Sequence, residues 1–240
     1  MERRKNHAHS TQQRREMKFK ALLFDFYGTI VEEADAYVEK ICTVISRHLD
    51  HTVLPRDISK QWFEIVPKVC YEAYGKKFRL QKDIAVESLE TVLYSLRCSL
   101  DAHELIKTIH NYWNAPRIFP ESRNVLVRCN LPICIISNVD DEFIYRALKM
   151  HGLNFTNVVT SESCRSYKPR VDIFLKALSM IGLSNNEVLH IGDSYQNDVL
   201  GAKAAGIPVF WINRKKKKLK PEDSAPEFVS HTLNGVLDCI

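Results

Sequence analysis

Short apolar runs that stop abruptly at a polar residue recur along this chain. Ala21-Leu22-Leu23-Phe24 ends at Asp25, Pro132 to Ile136 ends at Ser137, and Val188 to Ile191 ends at Gly192-Asp193. Val158-Val159 and Pro208 to Ile212 have the same character. Runs this short, rich in β-branched and aromatic residues, predict strands buried on both faces. Between the later ones lie amphipathic stretches of helical length: Asp141 to Met150, Val171 to Ile181 and Asn197 to Ala205. Strands alternating with helices predict an α/β fold, a parallel sheet with helices on both faces. Ligands of such sheets bind beyond the carboxyl ends of the strands. Asp25, Ser137 and Asp193 are therefore expected together at one edge.

From about Glu32 to Asn114 the alternation breaks. Ala34 to Leu49, Asp57 to Tyr74, Gln81 to Arg97 and Asp101 to Trp113 read as consecutive helices, with apolar residues three and four apart, as in Ile58, Trp62, Ile65, Val66 and Val69. Pro55, Asp57 and Asp101 are suited to helix starts. A helical module of residues 32–113 is thus inserted into a core of residues 17–31 and 114–240, behind a polar basic tail of residues 1–16. The module's aromatics are expected in its own core.

With 240 residues, 45% of them hydrophobic, the chain can bury a core without staples. Seven scattered cysteines without CxxC spacing and no secretion-type apolar segment favour a reducing, cytoplasmic location and disfavour zinc. No stretch approaches a membrane span. The net charge of +5 is concentrated in the N-terminal tail and in Arg214-Lys215-Lys216-Lys217-Lys218-Leu219-Lys220. Both read as a solvated tail and loop. A nucleic-acid surface is not expected, because no aromatics interleave with the lysines.

Four motifs carry candidate chemistry. Phe24-Asp25-Phe26-Tyr27-Gly28-Thr29 places a carboxylate at a strand end before a glycine turn. Aspartate there can act as a nucleophile, since its acyl intermediate is readily hydrolysed, although an Asp before Gly-Thr also caps turns. Ile135-Ile136-Ser137-Asn138 brings a hydroxyl and an amide able to hold an anionic oxygen or to cap a helix. Lys168, in Tyr167-Lys168-Pro169, can pair with the nucleophile and a bound anion. In His190-Ile191-Gly192-Asp193-Ser194-Tyr195-Gln196-Asn197-Asp198, Asp193 and Asp198 add carboxylates that suit Mg²⁺ beside Asp25. So many carboxylates repel one another without a cation between them.

These four motifs, in this order and from about Phe19 to the C-terminus, closely resemble the haloacid dehalogenase-like hydrolase superfamily. The resemblance implies a Rossmann-like core with the inserted helices as a cap domain. It implies Asp25 as nucleophile, Ser137 and Lys168 binding the anion, and Tyr27, Thr29 and Asn138 against the substrate. A Mg²⁺ site would be formed by Asp25, Tyr27 (through its carbonyl), Asp193 and Asp198, the last directly or through water. The expected partner is an anionic small molecule, with no membrane or nucleic acid and with the chain a monomer or homodimer.

One position departs from the pattern. The family's phosphatases usually carry a second aspartate two residues after the nucleophile, as general acid and base; here it is Tyr27, whose ordinary pKa of about 10 suits neither role. Tyrosine at this position resembles the family's 2-haloacid dehalogenases, which need no metal and use a cap arginine for halide, a role open to Arg47 or Arg56. The fourth motif points instead to Mg²⁺-dependent hydrolysis of a small phosphorylated metabolite, and it is weighed more heavily. A weakly catalytic phosphoryl-binding protein is the third expectation.

Overall fold

The computed structural model describes residues 19–240; the tail of residues 1–16, with Met17 and Lys18, lies outside the described residues. Strand β1 (Ala21–Phe24) occupies the middle of the sheet and is buried along its whole length. It is flanked by β2 (Ile133–Ser137) and β4 (Val188–Gly192), with β3 (Asn157–Thr160), β5 (Val209–Ile212) and β6 (Phe228–Ser230) outside them. The order is β3-β2-β1-β4-β5-β6 and every pairing is parallel.

The two-residue period of β1 divides the core. Leu22 and Phe24 join the side that holds Val125 of α5 (Ser122–Arg128) and Phe143, Ile144 and Ala147 of α6 (Asp141–His151). Ala21 and Leu23 join the opposite side, with Ile173, Phe174 and Ala177 of α8 (Val171–Ile181) and Ala202 of α9 (Gly201–Ala204). A four-residue helix, α7 (Ser161–Cys164), leads from β3 toward the lysine loop. A side chain added to β1 has no free face to occupy, which explains a strand without a polar residue.

Four helices lie between β1 and α5: α1 (Asp35–His48), α2 (Pro55–Glu72), α3 (Gln81–Ser95) and α4 (Ala102–Asn114). Pro55 opens α2 at its first position, and the Asp101 carboxylate accepts from the backbone N–H groups of His103 and Glu104 at the start of α4. Trp62 is buried in the bundle and donates its indole N–H to the Ser88 hydroxyl at 2.9 Å. Specific contacts pin the bundle over the carboxyl edge of the sheet. The buried Asp140 carboxylate accepts from the backbone N–H groups of Gln81 (2.8 Å) and Lys82 (2.9 Å), and so caps α3 from the core side. Tyr167 donates its hydroxyl to the carbonyl of Arg79 at 2.8 Å.

Two elements differ from the sequence reading. The expected helix Asn197 to Ala205 opens as a π-type turn, Tyr195–Leu200, in which the Ser194 carbonyl accepts from both Asp198 and Val199 N–H before α9 begins. Wide turns of this kind re-aim side chains, and here the result is a buried Asp198. The basic run is only partly a solvated loop. Arg214 stacks 3.5 Å over the Phe119 ring, pairs with Glu121, and donates to the carbonyls of Gly28 and Thr29; Lys215 pairs with Asp35.

Candidate active site

The site is built where three strands end. The Asp25 N–H donates to the carbonyl of Ile191 at 2.8 Å, which carries the β1–β4 ladder one residue past Phe24 and fixes the aspartate at the sheet's edge. Ser137 ends β2 next door, is 2% exposed and does not cap a helix, since α6 starts after Asp140. Asp193 follows β4, its carbonyl held by the Trp211 indole N–H at 2.8 Å.

Gly28 is indispensable to this packing. Its φ is +92°, and a Cβ there would lie 2.4 Å from Oδ1 of Asp193. Gly192 is equally constrained, since a Cβ would lie 2.2 Å from Cγ of Asp198.

Lys168 is the electrostatic hub. Its Nζ is 3% exposed as a residue and lies 2.6 Å from Oδ1 of Asp25 and 2.7 Å from Oδ1 of Asp198, with the carbonyl of Ile136 at 3.3 Å. Burial alone would lower an ammonium's pKa, but the two carboxylates outweigh it, and the lysine stays protonated with its pKa raised. Asn138 locks the backbone of this lysine from both sides: its amide oxygen accepts from Lys168 N–H at 2.7 Å, and its amide N–H donates to Lys168 carbonyl at 3.0 Å. Asn138 therefore positions Lys168, and it also lines the cavity, with the second N–H of its amide left over.

Asp198 is similarly committed. Oδ1 takes Lys168 and His190 (3.0 Å), and Oδ2 accepts from Ser194 N–H at 2.9 Å. Burial would raise its pKa, but Lys168 and His190 hold it well below the ordinary range. His190 is held down toward its neutral form, first by burial. Asp198 thus holds Lys168, and its carboxylate also stands in one acidic cluster with Asp25 and Asp193.

Asp25 and Asp193 are different. Oδ2 of Asp25 is buried without a partner, and burial together with the charge of Asp198 pushes the carboxyl up to about 6 in spite of Lys168. Asp193 is raised well above the ordinary range by burial and by the charges of Glu33, Asp25 and Asp198. Carboxylate oxygens of Asp25, Asp193 and Asp198 all lie within 4.8 Å of one another. A set of hard oxygen donors whose like charges lack sufficient compensation fits a divalent cation. The Thr29 hydroxyl is also buried and beyond ordinary hydrogen-bond geometry, yet close enough to help lower the Asp25 pKa.

Tyr27 points its hydroxyl away from the carboxylates, donating to the carbonyl of Trp113 at the end of α4 at 2.5 Å. Burial pushes this phenol far above its ordinary pKa, which keeps it protonated, and Tyr27 remains among the residues that line the cavity. A carboxylate that the sequence reading passed over, Glu33, lines the same cavity from a solvent-exposed position, and the nearby charges of Asp25 and Asp35 raise its pKa. Its only sequence signal is its place just after the buried pair Ile30-Val31. The cavity, about 600 Å³, is floored by Asp25, Ser137, Lys168 and Asp193 and walled by α1, α2 and α4.

Residues 19–206 match the haloacid dehalogenase-like hydrolases. The chain belongs to this family. Haloacid dehalogenase-like hydrolase domain-containing protein 3 of Xenopus laevis is 30% identical over 192 residues, covering 75% of this chain and 71% of its own. Haloacetate dehalogenase H-2 of Moraxella sp. (strain B) is 24% identical over 232 residues, 93% of this chain and 98% of its own. Phosphatases stand among the relatives as well, including a phosphoserine phosphatase of Thermus thermophilus. The crystal structure of the L-2-haloacid dehalogenase RSc1362 superposes with a TM-score of 0.75 at 23% identity, over 92% of this chain and 98% of the other. As a haloacid dehalogenase-like hydrolase, the chain thus has relatives named for two chemistries, and its own residues must choose between them.

The arginines that would serve a dehalogenase do not reach the site. Arg47 and Arg56 are exposed on α1 and α2, and among the described residues no arginine lines the cavity. No described helix is long and apolar enough to cross a membrane.

Proposed function

We propose that this hydrolase is a Mg²⁺-dependent phosphohydrolase that acts on small phosphate monoesters through Asp25. The observation that carries the reading is an acidic cluster of Asp25, Asp193 and Asp198 within 4.8 Å of one another, in which Lys168 pairs with Asp25 and Asp198 only. A cavity floor with three carboxylates and a single ammonium repels any anionic substrate, whether phosphate or haloacid carboxylate, unless a cation is also bound. The free Oδ2 of Asp25, the Asp193 carboxylate and the Tyr27 carbonyl would hold it. The chemistry supplied by Mg²⁺, when bound, is neutralisation of this cluster and polarisation of a phosphoryl oxygen.

The remaining roles belong to the chain. Asp25 attacks phosphorus, forming an Asp25 O–P bond as the ester O–P bond breaks and the leaving oxygen departs with the bonding pair. Water then attacks the acyl phosphate, releasing inorganic phosphate and restoring the carboxylate. Lys168, held by Asp198 and Asn138, keeps a fixed positive charge beside the nucleophile and stabilises charge on the transferring group without reorganising. Ser137 offers a hydroxyl at the same edge. Tyr27 is too weak an acid to protonate the leaving oxygen readily, so esters with good leaving groups are favoured, and Glu33, which lines the cavity, is a candidate acid.

The dehalogenase reading keeps one observation in its favour, the phenol at position 27, since halide leaves unprotonated. Hydrolysis of p-nitrophenyl phosphate with Mg²⁺ and with chelator tests the choice. Phosphate release that chelator abolishes supports the proposal. Activity indifferent to chelator, or only halide release from 2-haloacids, removes it. Tight phosphate binding without turnover would favour the binding-protein alternative.

A further inference from the structure

The polar floor says what reacts; the wall above it says what the phosphate is attached to. That wall is contributed by Val38 of α1, Trp62, Phe63 and Val66 of α2, and Ile109 and Trp113 of α4. Trp62, Ile109 and Trp113 are buried and fixed by the bundle, whereas Phe63 stays 54% exposed, a large ring left uncovered beside a catalytic cavity. Uncovered aromatic surface in a concave site is a recognition surface more often than an accident of packing.

The charges on the same wall are mostly of the wrong sign for a second anion. Glu33 and Asp35 line it, and among the described residues the only lining cation besides the buried Lys168 is Lys68. A second phosphate or an amino acid's carboxylate would face the two acids, and a nucleoside monophosphate would have to strip water from its ribose hydroxyls and base amide or amine groups against the apolar wall. A sugar would give up water at many hydroxyls against Val38, Trp62, Phe63, Val66, Ile109 and Trp113, although Gln81, Gln196 and Asn197 elsewhere on the lining could take back some of those hydrogen bonds.

Resting on the phosphohydrolase reading, we infer that the substrate is a monoester of an uncharged apolar alcohol, alkyl or aryl, whose organic part lies against Trp62, Phe63, Val66 and Trp113. Affinity then rises with apolar area. A methylene moved from water to such a wall is worth about fourfold.

The test is calorimetric titration of the Mg²⁺-loaded protein with methyl-, butyl- and hexylphosphonate, alongside glucose 6-phosphate and AMP. Phosphonates share one headgroup and are not hydrolysed, so the readout is independent of turnover. The expected result is at least a tenfold tighter Kd for hexyl- than for methylphosphonate, with glucose 6-phosphate and AMP weaker than butylphosphonate. Phe63→Ser, at an exposed position that the fold does not need, should cut the hexyl affinity several-fold and leave the methyl affinity unchanged. Affinity that is flat along the series, or preference for AMP or the sugar phosphate, overturns the inference while p-nitrophenyl phosphate hydrolysis keeps the phosphohydrolase reading. If no phosphonate binds and no aryl phosphate is hydrolysed, the phosphohydrolase reading falls and takes the inference with it.

Discussion

Replacing Asp25, the proposed nucleophile, should stabilise the metal-free protein, and most at neutral and alkaline pH. Asp25 is 5% exposed, and its carboxyl is raised from an ordinary 3.8 to about 6. An acid raised in the folded state costs nothing while both states are protonated. Its ionisation begins to oppose folding as pH climbs past about 4, and the cost levels off above about 6. At about 1.4 kcal/mol per pH unit, the gap between 3.8 and about 6 is worth about 3 kcal/mol. Asparagine keeps the shape and removes the charge, and Lys168 retains Asp198 as its partner. Asp25→Asn should therefore melt roughly 6–12 °C above the wild type at pH 8, with about a third of that difference at pH 4.5. The assay is thermal unfolding in chelator at both pH values, repeated with Mg²⁺ at pH 8, where the wild type should recover much of the gap. An Asp25→Asn protein that melts at or below wild type at pH 8, or a gap equal at both pH values, would refute the electrostatic picture of the site.

Three further outcomes follow from the same geometry. Gly28→Ala places a Cβ against the Asp193 carboxylate at a φ of +92°. The backbone alone should cost about 1–2 kcal/mol, and Mg²⁺ affinity measured by calorimetry should fall at least tenfold. If Glu33 serves as proton donor to the leaving group, Glu33→Gln should slow alkyl phosphate hydrolysis on the order of 10²-fold and spare p-nitrophenyl phosphate; equal loss on both esters would remove it from that role. Cation affinity should rise between pH 5 and 7, because protons leave Asp25 near 6 and compete with the metal below that value; pH-independent binding would place the cation elsewhere.

The parts of the molecule that were legible in the sequence are those set by local pattern. The apolar runs that end at Asp25, Ser137 and Gly192-Asp193 became strands ending at the site, so these three polar residues could be placed on one edge from the pattern alone. The four inserted helices showed for the same reason, since three-and-four spacing reports a face. What stayed hidden depends on partners distant along the chain. Asn138 is spent on Lys168, 30 residues away, and Tyr27 on Trp113, 86 residues away. Arg214 sat in a lysine run that looked solvated, yet it holds the turn after Asp25 through the carbonyls of Gly28 and Thr29. Strand β6 has only three residues, none of them fully buried, and so offers almost no pattern.

The central claim is that Asp25 becomes covalently attached to the transferred group. The direct measurement is acid quench of excess enzyme with Mg²⁺ and a phosphorus-labelled aryl phosphate, followed by peptide mapping. The account predicts label on the peptide that contains Asp25, absent in Asp25→Asn. Turnover without protein-bound label, or label retained in Asp25→Asn, would contradict it.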